Sequence, residues 1–272
     1  MNILDKIIAH KKLEVAEKSS LVPVKLLEQS IYFDSNVVSM KKYIRHEDKT
    51  GIIAEFKRKS PSKGAINTNS LVETVSIGYM QAGASALSIL TDKEFFGGKN
   101  EDLTIARKFN FCPILRKDFI IDEYQIIEAK SIGADCILLI AAALEPKRLK
   151  ELASFAHSLG LEVLMEVHDG EELKSSLNEH LDLVGVNNRS LKTFEVSLDT
   201  SFGLVNQIPS EFIKISESGI SQPETLVSLK NAGFDGFLIG ENFMKSARPE
   251  QAAYNFMHEY RRLLVENQAI SQ

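Results

Sequence analysis

The sequence predicts an α/β fold, a single (β/α)8 TIM barrel with an N-terminal helical extension, and three observations carry that reading. From residue 51 onward one unit recurs: a short β-branched apolar run, a polar loop, a helical stretch and often a glycine before the next run. Eight such runs follow one another, whereas a doubly wound sheet usually stops at about six strands. No Gly-x-Gly-x-x-Gly turn follows the first run, as a dinucleotide-binding sheet would require. Domains average about 150 residues, yet α/β barrels of about 250 routinely form one. Residues 1–272 therefore read as one barrel domain, of which 1–50 are a helical extension capping one end.

The extension begins MNILDKIIAHKKLEVAEKS, which mixes Asp, Glu and Lys with apolar residues at helical spacing. It lacks the continuous apolar stretch and small-residue cleavage site of a signal peptide. An amphipathic helix over residues 2 to 18 is expected, docked on the chain's own core; binding an outside partner is the competing reading. The strands are GIIAEFK from Gly51, ALSILTD from Ala86, CPILRKD from Cys112, CILLIAA from Cys136, EVLMEVHD from Glu162, DLVGVNNR from Asp182, FIKISESG from Phe212 and GFLIGEN from Gly236. Between the fourth and fifth, Leu149, Leu152, Ala156 and Leu159 form the apolar stripe of a helix, with Pro146 near its start and Gly160 past its end. Ser221, Pro223 and Glu224 read as a capping box opening the helix that Gly233 closes. Gly83, Gly133, Gly160 and Gly233 share one role, a left-handed helix exit.

Composition bounds the partners. With 44% hydrophobic and 25% charged residues the chain is an ordinary globular protein, which excludes disorder, collagen and disulfide scaffolds. A net charge of -5 and a pI near 5.8 argue against nucleic acid, whose phosphates need clustered Lys and Arg. The longest apolar run, Ile137 to Leu144, is far below the roughly 20 residues of a membrane span, so no membrane partner is expected. Cys112 and Cys136 lie in apolar runs without a CxxC pair, which reads as buried thiols in a reducing cytoplasm. The six histidines lack HExxH or similar spacing, so no metal is expected, and neither a GxSxG nor a Walker A pattern is present.

In a barrel enzyme the site is built where strands end, and here those ends are polar. Glu55 and Lys57 lie two apart on the first strand and share a side. Lys117 ends the third strand, Glu166 the fifth, Asn187 and Arg189 the sixth, Glu217 and Ser218 the seventh. A solvated strand terminus explains any one of them; three acids and three bases at one mouth point to chemistry, because unpaired buried ions are costly. Gly219 and Gly240 end strands seven and eight just before helices, where backbone amides commonly bind phosphate. A small phosphorylated substrate is implied. SPSKG, Ser60 to Gly64, reads by itself as a flexible loop that could act as a lid, and in KEFFGG, Lys93 to Gly98, hydrophobic packing is the default for Phe95 and Phe96, one of which could face a flat ring.

As a set, IAEFKRKSPSKG, LTDKEFFGG, ILRKDFIIDEYQI, LEVLMEVHD, GVNNRSL, ISESGI and GFLIGENFM closely resemble the indole-3-glycerol phosphate synthase family, in order and over essentially the whole chain. The resemblance implies a carboxy-lyase of tryptophan biosynthesis that closes 1-(2-carboxyphenylamino)-1-deoxyribulose 5-phosphate to indole-3-glycerol phosphate, CO2 and water, with no cofactor or metal. It implies Lys117 as general acid, Glu166 as acid/base partner in dehydration, and Lys57 as anion ligand and candidate second proton donor. Which lysine acts in which step stays open. Glu55, Asn187 and Glu217 would orient these groups. Ser60 and Arg189 would line the anionic substrate, Phe96 the ring, and Ser218, Gly219 and Gly240 the phosphate. Glu241 would contribute only its backbone, since its charge repels phosphate, and Asn188 would alternate outward. A monomer is expected. A Schiff-base aldolase with Lys117 as nucleophile is the alternative, and acidic neighbours oppose the low lysine pKa it needs.

Overall fold

The structure, a computed structural model, describes residues 3–270, with side chains as far as residue 267. Eight strands, β1 (Ile52–Phe56), β2 (Ala86–Leu90), β3 (Ile114–Lys117), β4 (Cys136–Ile140), β5 (Glu162–Val167), β6 (Leu183–Asn187), β7 (Ile213–Glu217) and β8 (Gly236–Ile239), pair in parallel. Each neighbours the next, and β8 returns to β1, where Ile53 lies beside Leu238, so the sheet closes. Two-residue alternation sends one set of side chains into the barrel and the other toward the helices. The inward set includes Ile53, Leu115, Leu138, Leu164, Leu183 and Ile215, all buried in one cluster. The outward set, with Ile52, Ile89, Val163 and Val186, packs against the surrounding helices in a second.

The β-branched runs form strands because both faces are covered, as a parallel sheet requires. The helix after β4, Pro146–Ser158, has proline in its first turn and buries Leu149, Leu152 and Ala156. Gly83, Gly133, Gly160 and Gly233 all adopt left-handed backbone, as expected of helix exits. The helix Pro223–Ala232 differs at its start. Its cap is Gln222, which makes no side-chain bond, and Ser221 lies one residue outside because Pro223 fixes the first helical position. The SPSKG segment also differs from a flexible loop: Lys59–Ser60 and Gly64–Ala65 pair as a small antiparallel hairpin over the barrel mouth.

The extension reaches both ends of the barrel. Helix α1 (Ile3–Leu21) drops Leu4 and Ile7 onto the barrel's inner core; residue 2 of the expected helix lies outside the described residues. Helix α2 (Val24–Leu27) leads to α3 (Met40–Ile44), whose Met40 and Ile44 plug the opposite end. Carboxylates at the strand starts hold this plug. Glu162 accepts hydrogen bonds from Ser39 Oγ at 2.6 Å, Met40 N at 2.7 Å and Lys41 N at 3.2 Å. Asp135 accepts from Val38 N at 2.8 Å, and Lys41 Nζ lies 2.6 Å from Asp182. Charge-assisted bonds of this kind contribute about 1.5–3 kcal/mol, so Glu162→Ala is expected to destabilise the fold by about 2–3 kcal/mol in urea unfolding. A loss below about 0.5 kcal/mol, the size of an ordinary surface effect, would contradict this account of the plug.

Candidate active site

Alternation along the strands brings the expected residues to one mouth. Glu55, Lys117, Glu166, Asn187 and Glu217 all face a cavity of about 130 Å³, together with Lys57, Ser60, Phe96, Arg189 and Ser218. Lys117 Nζ stands 2.8 Å from Glu166 Oε2 and 2.9 Å from Glu217 Oε2. Asn187 Nδ2 donates to Glu166 Oε1 at 3.0 Å, and Lys57 Nζ lies 2.8 Å from Glu55 Oε1. Every acid at this mouth therefore faces a cation or an amide.

Burial pushes both Lys117-bound carboxyls up, and the ammonium opposes it in each. Glu166, which also faces His168 and the Asn187 amide, is held down to about 2. Glu217 faces Glu166, has no hydrogen-bond partner for Oε1 among the described residues, and is pushed up to about 7. Burial by itself would strip the Lys117 proton, but Glu166, Glu217 and Glu55 together raise its pKa. The arrangement holds a proton donor beside one ionised carboxylate and one that titrates near neutrality.

A second lobe of about 460 Å³ adjoins the first and is lined by Lys57, Lys63, Arg189, Ser218, Gly219, Gly240 and Lys245. Ser218 and Gly219 both have positive φ, 67° and 78°, unusual for the serine, so two successive amides sit on a left-handed turn suited to an anion. Asn188, outward as expected, pins this turn by donating to the carbonyls of Glu217 at 2.9 Å and Ser218 at 3.1 Å. Gly240 has an additional reason to be glycine, since a Cβ there would lie 2.5 Å from Glu55 Oε1. The Glu241 side chain, to which the sequence assigns no role, faces two cations: its carboxylate lies 3.1 Å from Arg189 and 3.9 Å from Lys63. Arg189 thus lines both lobes with its charge already met.

Four neighbours escaped the sequence reading. Phe119, two residues past Lys117, walls the first lobe 5.9 Å from Phe96. Gly185, on β6, leaves room for Glu217 Oε1, which a Cβ would strike. Lys11, on α1, ends behind the loops that follow β2 and β3. His168, two past Glu166, places Nε2 3.4 Å from Glu166 and Nδ1 3.1 Å from Glu172.

The family model described as indole-3-glycerol phosphate synthase matches residues 4–256. The chain belongs to that family. An indole-3-glycerol phosphate synthase from Bacteroides thetaiotaomicron is 49% identical over 256 residues, 94% of this chain and 98% of the relative. One from a Polaromonas species is 41% identical over 251 residues, 91% of this chain and 95% of the relative. A 3-hexulose-6-phosphate synthase structure from Salmonella typhimurium aligns with a TM-score of 0.61 over 78% of this chain and 98% of its own, at 12% identity, a likeness of fold alone. The protein is thus an enzyme, a carboxy-lyase of tryptophan biosynthesis that forms indole-3-glycerol phosphate from a phosphorylated substrate. No helix among the described residues is long and apolar enough to cross a membrane.

His168 supplies a test of the site's electrostatics. Burial lowers its pKa, but Glu172 and Glu166 more than offset this and raise it above the ordinary value. A raised folded-state pKa means that the protonated ring stabilises the fold fully below the unfolded value of about 6.5, and that this contribution fades as pH rises through the folded value. The stability gap between wild type and His168→Gln in urea titrations from about pH 5.5 to 8.5 is therefore expected to be widest at the acid end. A gap that widens with pH would contradict the assignment.

Proposed function

We propose that the two lobes receive the two ends of 1-(2-carboxyphenylamino)-1-deoxyribulose 5-phosphate and that Lys117 delivers the first proton. The observation that carries this reading is the Lys117 ammonium held between Glu166 and Glu217. The carboxyphenyl ring enters the apolar lobe beside Phe96, with Ser60 at its edge. The phosphate enters the basic lobe and meets the amides of Ser218, Gly219 and Gly240. Arg189 exchanges the Glu241 carboxylate for an anionic group of the substrate.

Ring closure puts negative charge on the ketone oxygen as the anilino carbon attacks, and the Lys117 proton neutralises it. Loss of CO2 restores the aromatic ring, and loss of the hydroxyl as water completes the indole. Glu166, ionised and fixed by Asn187, is the acid/base partner of that dehydration. Lys57, fixed by Glu55, binds anionic groups and is the second proton donor, while Glu217 orients Lys117. A Schiff-base aldolase would need Lys117 as a neutral amine, which the two carboxylates oppose.

Lys117→Ala is expected to lower turnover by about 10³-fold, within the usual range for a positioned proton donor, while fold and product affinity persist. Wild-type turnover in this variant would refute the role, and borohydride trapping of a substrate adduct on Lys117 would favour the aldolase. We further propose that residues 1–272 form one domain that works as a monomer in the cytoplasm. Every group assigned above comes from one chain, and the free thiols Cys112 and Cys136, pushed up in pKa by burial, suit a reducing compartment. Light scattering is expected to return the mass of one chain, 30.3 kDa, and twice that mass would overturn the monomer.

A further inference from the structure

We propose that Lys11, on α1, is a positioning residue that sets the aromatic slot of the active site by tying together Asp92 and Asp118. The inference rests on the placement of the substrate ring in the apolar lobe. Lys11 is 1% exposed, although it belongs to a helix that leaves Leu13 and Leu21 in solvent. Its Nζ lies 3.0 Å from Asp92 Oδ2, 2.9 Å from Asp118 Oδ1 and 2.9 Å from Glu14 Oε2. An ammonium buried this completely is tolerated only with such compensation.

Each aspartate grips one wall of the slot. Asp92 Oδ1 accepts the backbone N–H of Phe95 at 2.7 Å and of Phe96 at 3.1 Å. Asp118 Oδ1 accepts the backbone N–H of Phe119 at 2.8 Å, and its Oδ2 accepts from Thr91 Oγ1 at 2.6 Å. Phe96 and Phe119 face each other across 5.9 Å, inclined by 37°, and both line the lobe that holds Lys117 and Glu166. Asp118 has a second cation, Arg116 at 3.4 Å, whereas Asp92 Oδ2 has no hydrogen-bond partner among the described residues, so Lys11 is what balances it. Without the ammonium two buried carboxylates repel across a gap of a few ångströms, and the loops they grip separate with them. Pulling on one carboxylate from each loop, Lys11 fixes the spacing of the two rings through the aspartates that hold their backbone.

The effect is specific to the ring end of the substrate, which distinguishes it from a general staple. In Lys11→Met, assayed at a temperature where the variant is folded by circular dichroism, affinity for anthranilate is expected to fall and KM to rise by about fivefold, the size of a typical coupling between contacting groups. Affinity for inorganic phosphate is expected to stay within about twofold, inside the usual additivity error for independent sites. Lys11→Arg, which keeps the charge, is expected to restore anthranilate binding. If Lys11→Met does not fold, Asp92→Asn keeps an oxygen for Phe95 and Phe96, removes the attraction to Lys11, and is expected to weaken anthranilate alone. Wild-type anthranilate affinity in the folded variant, or equal weakening of both probes, would overturn the proposal. If Phe96→Ala leaves anthranilate affinity unchanged, the ring placement itself fails and takes the proposal with it.

Discussion

The contact between the Lys117 ammonium and the carboxylates of Glu166 and Glu217 sets the terms for the surrounding structure. Three ionisable groups at the top of an apolar barrel are tolerable only if each finds a partner at hydrogen-bond distance. The neighbouring strands are shaped to that requirement. Gly185 gives Glu217 room to lie against β6, Gly240 does the same for Glu55, and Asn187 spends its amide on Glu166. Burial and the facing Glu166 carboxylate push Glu217 up against the pull of Lys117, while Lys117, His168 and the Asn187 amide hold Glu166 down. The reactive character of the site is thus a by-product of how the barrel solves a solvation problem.

Closure of the sheet explains why so much of this was legible in the sequence. Once eight runs are recognised, the two-residue period decides which side chains enter the barrel, and the last inward residue of each run becomes a candidate without any knowledge of distance. Glu55, Lys117, Glu166, Asn187 and Glu217 were found in this way, and all five face one cavity. The same period continues for one more step past the strand ends: it brings Lys57 and Arg189 to the mouth after Glu55 and Asn187, and likewise Phe119 and His168 after Lys117 and Glu166, where an aromatic ring or an imidazole past a strand end carries no charge pattern to single it out. Gly185 also left a trace, since a glycine that interrupts a β-branched strand marks a close approach. Lys11 and the Glu241 side chain left none. Glu14 is a neighbour of Lys11 on its own helix, but Asp92, Asp118 and the cations that face Glu241 lie far along the chain, and such pairings produce no local periodicity to read.

The two lobes differ in lining. The apolar one is walled by rings whose backbone is clamped by aspartates, the basic one by a left-handed turn and the cations Lys57, Lys63, Arg189 and Lys245. An acidic chain can therefore serve an anionic ligand, because net charge is averaged over a surface while affinity is decided within a few ångströms.

The plug at the far end of the barrel has a consequence for the order of assembly. Residues 38–45 emerge early in synthesis, yet they bond to Asp135, Glu162, Asp182 and Asp235, which arrive 97 to 190 positions later. β1 likewise waits for β8. Neither the floor nor the wall of the barrel can be completed until nearly the whole chain has left the ribosome, and contacts of such long range slow folding. Residues 38–45, made well before their partners, are thus among the last to be secured.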